Sequence, residues 1–456
     1  MKRFHQQILS GLAVGLIVLL AGCKGISTSG ERQARHELAA VTDKYRPNQQ
    51  KPELPTLTPD TSLSNYLAYA LLNSPTVKAA YGDWAASVEN ITVVRSLPDP
   101  VLTFQSDIAD VVKTVMPGFM QVFPGPGKLR AGAKVASAES QAKYYAFESA
   151  ALQTTFDLKQ SYYKLYFLDD QLRINRETLS LLDDLEQIAR AQNEVGKGTL
   201  QDVLRAQIER DRVSTDIANL EDSRQPLLAS FKAALGITPD QPNPPVPAQL
   251  ETADINPNTD ELLKVAFDRN PQLKSMEADV RAAEAGIALA YKSRVPDFSL
   301  GLMADVKGNP IVYRPLADMT LPIWRDKTAA EIAEAKAKDM AVRARLTEAQ
   351  ISLAVDFADQ TFAYREIGRN LDLLENRLIP KARQSLEIAR AGYLAGTIDF
   401  FNLMDTERTL LNFELSEVEA RTQREIVLSR LSLLIAGQPP AGEDWLNPGT
   451  TQEASK

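Results

Sequence analysis

QVFPGPGKLR (121–130) divides the chain between two periodicities. Before it apolar and polar residues alternate, and after it, from Lys128 to Gln225, there is no proline. Alternation is the pattern of a half-buried strand, and a long proline-free run leaves a helix unbroken. Prolines cannot donate ladder hydrogen bonds and so end a strand. Pro126 is preset for a helical start, and the glycines permit a sharp change of direction. Pro124, Gly125, Pro126 and Gly127 therefore predict a strand-to-helix joint. TLPIWRDKT (320–328) does the same job with Pro322 alone, 198 residues after Pro124.

That spacing belongs to a longer repeat. ALLNSPTVKAAYGDWAASVENITVVRSLPDPVLTF (70–104) faces AFDRNPQLKSMEADVRAAEAGIALAYKSRVPDFSL (266–300), with Pro75 against Pro271 and Pro98-Asp99 against Pro296-Asp297. Gly198-Thr199 matches Gly396-Thr397, and Gly236 and Gly437 close the two copies. A register held over so many landmarks marks an internal duplication. The predicted organisation is a leader at 1–22, an N-terminal extension at 23–60, a first repeat at 61–236, a Pro-rich linker at 237–258, a second repeat at 259–437 and a tail at 438–456.

Each copy opens with a helical stretch, about 61–95 and 259–294. Two short alternating segments follow. Leu102 and Phe104 oppose Thr103 and Gln105, and Phe298, Leu300 and Leu302 alternate with Ser299 and Gly301. The return segments are 115–123 and 312–321, giving two strands per copy. Very long helical runs come next. Leu165, Leu168, Leu172, Leu179, Leu182 and Ala189, and in copy two Leu353, Phe357, Tyr364, Ile367, Leu371, Leu374 and Leu378, form heptad-like seams. A helix over 128–194 would be roughly 100 Å long. The Gly-Thr pairs turn the chain, and second helices return over 200–235 and 398–436. Pro380 should kink or break the second-copy helix.

The first residues carry an address. Lys2 and Arg3 precede the apolar run ILSGLAVGLIVLLA (8–21), too short for a comfortable membrane span, and then Leu20-Ala21-Gly22-Cys23. This resembles a bacterial lipoprotein signal, in which cleavage before Cys23 exposes the thiol for lipid attachment. An ordinary secretory signal with a nearby cysteine is the plainer alternative. Cys23 is the only cysteine, so no disulfide forms within the chain. Lys24 stands where an inner-membrane retention signal would need Asp.

With 456 residues, a net charge of −8 and 44% hydrophobic content, the chain is neither disordered nor built to bind nucleic acid. The two histidines, His5 and His36, make no metal set, and neither a phosphate loop nor a nucleophile elbow is present. An enzyme is not expected, and neither a catalytic residue, a cofactor nor a resident metal is assigned. Four strands cannot close a barrel, because the smallest membrane barrels have about eight and an open edge in lipid leaves backbone groups unpaired. The strands either form a small soluble sheet or are pooled by several chains.

On the duplicated helix–strand–strand–helix-pair, the Asn-Ser-Pro and Arg-Asn-Pro helix entries, the Gly-Thr tips and Cys23, the sequence resembles the TolC family of outer-membrane efflux channels. The resemblance implies a mainly α fold with a small β part. It implies a lipid-anchored homotrimer in the outer membrane of a Gram-negative bacterium, with a twelve-stranded barrel and a periplasmic helical tunnel. Its implied partners are a periplasmic adaptor, an inner-membrane resistance–nodulation–division pump and outer-membrane lipid. VFPGPGKLR (122–130) resembles the branch serving heavy-metal cation pumps, and a drug or general exporter of the same fold is the alternative. A periplasmic adaptor would carry one hairpin in a β-rich domain, and a poreless coiled-coil lipoprotein would leave the strand pairs unexplained.

In this family the tunnel closes just after the Gly-Thr turns, among acidic residues. By that resemblance Gly198, Thr199, Gly396 and Thr397 are the hairpin tips that dock the adaptor. Asn402 and Asp405 take the positions of the family carboxylates, with Asp202 at the matching turn of copy one. Only Asp405 of the copy-two pair is acidic, and the basic gate partner of some relatives falls on Ile398, so that lock is absent. Asp202 and Asp405 serve equally as N-terminal helix residues favoured by the dipole, worth about 0.3–1 kcal/mol each. Phe400 and Phe401 either pack between helices, the commoner fate, or dock a partner. Trp324 and Tyr313 are either interfacial aromatics or core.

Overall fold

The structure, a computed structural model, describes residues 27–46, 50, 52–108, 111–246, 259–308 and 310–435. Cys23, Gly437 and most of the 237–258 linker lie outside them. The chain divides into two compact units, one holding Asp83–Tyr144 and Ser275–Leu346 with the N-terminal helix, the other Thr42–Gly82, Tyr145–Lys274 and the residues from Thr347.

Each repeat begins with a helix broken at its proline. After α1 (Ser29–Tyr45) of the N-terminal extension, α2 (Leu63–Asn73) and α3 (Pro75–Arg95) open the first, and α6 (Thr259–Arg269) and α7 (Pro271–Tyr291) open the second. Proline at the first helical position loses nothing, because that N–H is an orphan in any helix. Asn270 Oδ1 accepts from the N–H groups of Gln272 and Leu273 at 3.0 and 3.2 Å, while its Nδ2 donates to the Leu434 carbonyl at 3.1 Å. In copy one Asn73 Nδ2 donates to the carbonyls of Leu235 and Gly236 at 2.8 and 3.0 Å. The asparagine of each helix entry thus ties the repeat's first helix to the end of its last.

The strands are β1 (Val101–Ile108), β2 (Val112–Phe123), β3 (Phe298–Asp305) and β4 (Val312–Met319), in the antiparallel order β1-β2-β3-β4. The pairing of β2 with β3, from Gly118–Met303 to Phe123–Phe298, joins the two repeats into one sheet. Among the described residues the outer edges of β1 and β4 carry no strand partner.

The joint is a turn before it is a helix. Lys128 N–H donates to the Gly125 carbonyl at 3.0 Å, with Pro126 and Gly127 between them and Gly127 at φ +86°. Proline followed by a positive-φ glycine is the chemistry of a type II turn. The expectation that Pro126 starts the helix is corrected: helix α4 (Lys128–Glu194) begins two residues later. Asp297, the repeat-two landmark, locks the corner by accepting from Gly125 N–H at 2.6 Å and Lys128 Nζ at 2.7 Å. A Cβ on Gly125 would stand 2.5 Å from the Pro296 carbonyl, so the backbone approach needs glycine. In copy two Thr320 makes the corresponding corner, exchanging hydrogen bonds with Asp297 at 2.9 Å.

In the same unit the buried carboxyl of Glu31 anchors α1. It accepts from Thr92 Oγ1 at 2.8 Å and from Arg95 and Arg35. Burial alone would raise its pKa, but these donors outweigh it and bring the carboxyl down to about 2.

Helices α4, with 67 residues, and α5 (Leu200–Ala234) form the first hairpin. In the second, α8 (Arg325–Leu373) passes through a π-turn at Leu374–Leu378 into α9 (Ile379–Leu394), and α10 (Phe400–Leu434) returns. The break expected at Pro380 is this wide turn. Ile379 N–H bonds back to the Leu374 carbonyl, which settles the ladder just before the residue that cannot donate. The seam positions Leu165, Leu168, Leu172, Leu182, Ala189, Leu353, Phe357 and Leu371 are buried.

Asn270→Ala strands the Leu434 carbonyl and two helix N–H groups in a buried setting. A loss of about 1–3 kcal/mol is expected, read as a lower thermal unfolding midpoint.

Candidate functional site

Two surfaces separate themselves by chemistry: the faces of the sheet and the tips of the hairpins.

On the sheet, register and alternation sort residues cleanly. Leu102 pairs with Phe119, Phe119 with Leu302 and Leu302 with Pro315, so these four share a face. Phe104, Leu300, Phe298, Tyr313 and Met319 lie on it too, and all are exposed, Leu102 at 84%. The opposite face collects Thr103, Gln105, Ser299, Asp305, Arg314 and Asp318 with Gly118 and Gly301, and also carries Val101, Met116, Met120, Val122, Met303 and Leu316. An apolar face turned outward and a polar face on the other side is the alternation of a membrane barrel wall. Eight residues at about 3.3 Å each cover roughly 26 Å, near the height of the apolar band of such walls. Trp324, just past β4, is exposed at 72%, and Tyr313 is also exposed, so neither is a core residue.

At the tips both hairpins end in a Schellman motif. Gly196 and Gly396, each at φ +73°, donate to the carbonyls of Asn193 and Tyr393, and Lys197 and Thr397 donate to those of Gln192 and Gly392. The structural repeat therefore sets Gly196 against Gly396, not Gly198 against Gly396 as the sequence register suggests. Thr199 caps α5, and Asp202 completes a capping box: its carboxylate accepts Thr199 N–H at 2.9 Å, and its N–H donates to Thr199 Oγ1 at 3.2 Å. The cap of α10 is Asp399, which accepts from Asn402 N–H at 2.8 Å. Asp202 and Asn402 thus hold equivalent positions, and Asp405 is exposed one turn on. Its equivalent in the first hairpin is Arg205, whose guanidinium lies 4.9 Å from the Phe401 ring. Phe400 is buried, as expected for packing between helices, and Phe401 is exposed. Ile398, in the place of the family's basic lock, packs against Gly392.

Three groups here escaped the sequence reading. Tyr393 lies 5.2 Å from Phe400, its hydroxyl buried with no hydrogen-bond partner. Burial, then the charge of Asp202, raises its pKa. A tyrosine three residues before the Gly396 turn was the available signal. Glu186 is buried and accepts from Gln207, Arg190 and Arg210, each at 2.8 Å, and the Gln207 and Arg190 hydrogen bonds lead in lowering its pKa. Glu407, the second-hairpin equivalent of Gln207, is 3% exposed and no donor holds its carboxyl. Burial, with Glu209 and Glu414 nearby and Arg408 opposing them, pushes it from 4.5 to about 7. Among the described residues no three His, Cys, Asp or Glu side chains could hold a metal, and no helix is long and apolar enough to cross a membrane.

The carboxyl of Glu407 holds its proton to higher pH folded than unfolded, so the folded state binds more protons between about 4.5 and 7. Stability is expected to fall as pH rises through that window. Glu407→Gln should flatten the dependence and raise the unfolding midpoint at pH 8, as followed by circular dichroism against pH. Thr199→Ala should cost about 1 kcal/mol through the lost cap.

The model of the family described as outer membrane efflux protein matches residues 67–237 and 262–437. The outer membrane protein OprJ of Pseudomonas aeruginosa is 26% identical over 196 residues, 40% of this chain and 40% of OprJ. The probable outer membrane lipoprotein SilC of Salmonella typhimurium is 23% identical over 321 residues, 66% of this chain and 67% of SilC. The crystal structure of the outer membrane protein VceC from Vibrio cholerae superposes with a TM-score of 0.69 at 17% identity, covering 82% of this chain and 96% of VceC. A duplicated strand pair with one apolar face, carried between long helical hairpins and matched in both repeats by the family model, places this chain in the outer membrane efflux protein family.

Proposed function

We propose that the protein is the outer-membrane exit duct of a tripartite efflux system. One observation carries the reading: a four-stranded sheet with an exposed apolar face, a polar opposite face and two unpaired edges. In hydrocarbon an open edge costs several kcal/mol per unpaired backbone group, so the edges of β1 and β4 must meet those of other copies. Three chains give twelve strands, and the helical hairpins of three copies make the periplasmic tunnel. A periplasmic adaptor docks at the tips around Gly198, Thr199, Gly396 and Thr397, and an inner-membrane pump of the resistance–nodulation–division type supplies the substrate. Lipid on Cys23 adds an anchor, in keeping with the lipoprotein name of SilC. The joint at Pro124, Gly125, Pro126, Gly127 and Pro322 marks the line between barrel and tunnel. Heavy-metal cations are the proposed cargo, on the resemblance carried by VFPGPGKLR.

At the entrance, three copies of Asp405 with Asp202 beside them give a negative ring that favours cations, tempered by Arg205 one turn into α5. Asp202 also holds the Thr199 cap, so charge and cap must be separated by experiment. The purified protein should migrate as a trimer that dissociates on heating and should conduct in planar bilayers. Asp202→Ala with Asp405→Ala should raise basal conductance and reduce cation preference. Thr199→Ala, which removes the cap but no charge, should leave cation preference alone. A monomer with no conductance in any of these variants would overturn the duct reading.

A further inference from the structure

We propose that Met116, Met120 and Met303 form a binding site for a soft monovalent cation, Cu(I) or Ag(I), on the polar face of the sheet. The site rests on the duct reading in one respect, since that face lines the exit path only if the barrel forms.

The three methionines converge by register. Met116 and Met120 flank Gly118 two residues away on each side, so all three positions share one face of β2. Met303 of β3 pairs directly with Gly118, and Met120 pairs with Gly301. Glycine is what lets them approach. A Cβ on Gly118 would stand 2.5 Å from Met303 Cγ and 2.7 Å from Thr103 Oγ1, whereas one on Gly301 would meet the Phe119 carbonyl at 2.8 Å, with Met120 Cβ in ordinary contact at 3.5 Å. Met303 therefore lies over the backbone of Gly118, with Met116 and Met120 the next residues on that face of β2 on either side of the glycine. Met116 and Met303 are 1% and 5% exposed, on the face that carries Asp305, Arg314 and Asp318. Thr103 reaches the same point with a buried hydroxyl that has no hydrogen-bond partner.

Thioethers are neutral, soft donors that select Cu(I) and Ag(I) over hard or borderline divalent ions. The surrounding charge does not favour a divalent ion either. Asp305 follows Met303 on the same face, and Arg314 pairs directly with Met303, so the two formal charges cancel. Three neutral ligands with rotatable stems suit a cation that must be passed on, because such a site holds by softness and not by net charge. Packing alone places apolar side chains here, Val101, Val122 and Leu316 among them, but three thioethers grouped around one glycine, two of them buried beside an unpartnered hydroxyl, give that spot a soft donor set.

Ag(I) is the probe, added as nitrate in chloride-free buffer to the full-length lipidated protein in detergent and followed by calorimetry and silver X-ray absorption. The wild type should take up one Ag(I) per chain with sulfur ligands beyond any background from Cys23. Met116→Leu with Met120→Leu and Met303→Leu should lose that equivalent. Leucine for methionine keeps the apolar volume at a cost usually under about 1.5 kcal/mol, so the triple variant should retain bilayer conductance. The single variant Met303→Leu, expected to weaken uptake at least tenfold, serves where the triple variant does not fold. Unchanged Ag(I) uptake in conducting variants, or no Ag(I)–sulfur signal in a conducting wild type, overturns the site and leaves the duct intact. Absent conductance with normal Ag(I) uptake would strike the duct reading instead.

Discussion

The pairing of β2 with β3 is the interaction on which the rest of the structure depends. These strands come from different repeats and are separated by the whole first helical hairpin, yet they meet in register from Gly118–Met303 to Phe123–Phe298. Two duplicated strand pairs become one sheet only through this contact. The Asp297 carboxylate secures it at its base, where it binds Gly125 and Lys128 and so fixes the angle at which the first long helix leaves its strand. A carboxylate accepting from a backbone N–H and an ammonium at once makes charge-assisted bonds, stronger than neutral ones. Pro-Gly-Pro-Gly supplies the turn in copy one, and Asp297 from copy two holds it. The duplication is mechanically asymmetric, since Asp297 serves both corners, that of copy one across the repeats and that of copy two within its own.

The same sheet sets a condition that a single chain does not meet. Two strand edges and an apolar face remain exposed, and both the edges and the face are costly in water and tolerable only in a closed wall surrounded by lipid. On the proposed duct reading, further copies answer the edges and surrounding lipid answers the apolar face.

The helical hairpins show how two copies of one pattern diverge where they face different demands. Both tips use the same glycine-terminated ending, but Asp202 sits in a capping box while Asn402 only donates its backbone N–H. One turn further, Arg205 replaces Asp405, and Gln207 replaces Glu407. Gln207 completes the hydrogen bonds of Glu186, whereas Glu407 is buried without a donor and holds its proton to about pH 7. The structural repeat at the tips is offset by 200 residues while the strand joints keep 198, and the π-turn before Pro380 accounts for one of the two added residues. A register read from sequence alone has no means of locating that change, since a π-turn leaves no residue signature beyond the proline it precedes.

The sequence by itself determined the duplication, the strand-to-helix joints, the two alternating segments per copy and the long seams. These follow from periods of two and of three to four, and from prolines whose missing donor acts locally. It also made the glycine-ended tips legible, because a left-handed residue after a helix favours glycine wherever it occurs. The tertiary structure alone decided that Asp297 clamps the opposite repeat, that Asn73 and Asn270 tie first helices to last ones, and that Phe401 is exposed while Phe400 is buried. It also decided that Glu407 lies without a donor and that Met116, Met120 and Met303 gather over glycines. Each of these depends on which residues, far apart in the chain, are brought within hydrogen-bond or van der Waals distance, and no local period encodes that distance.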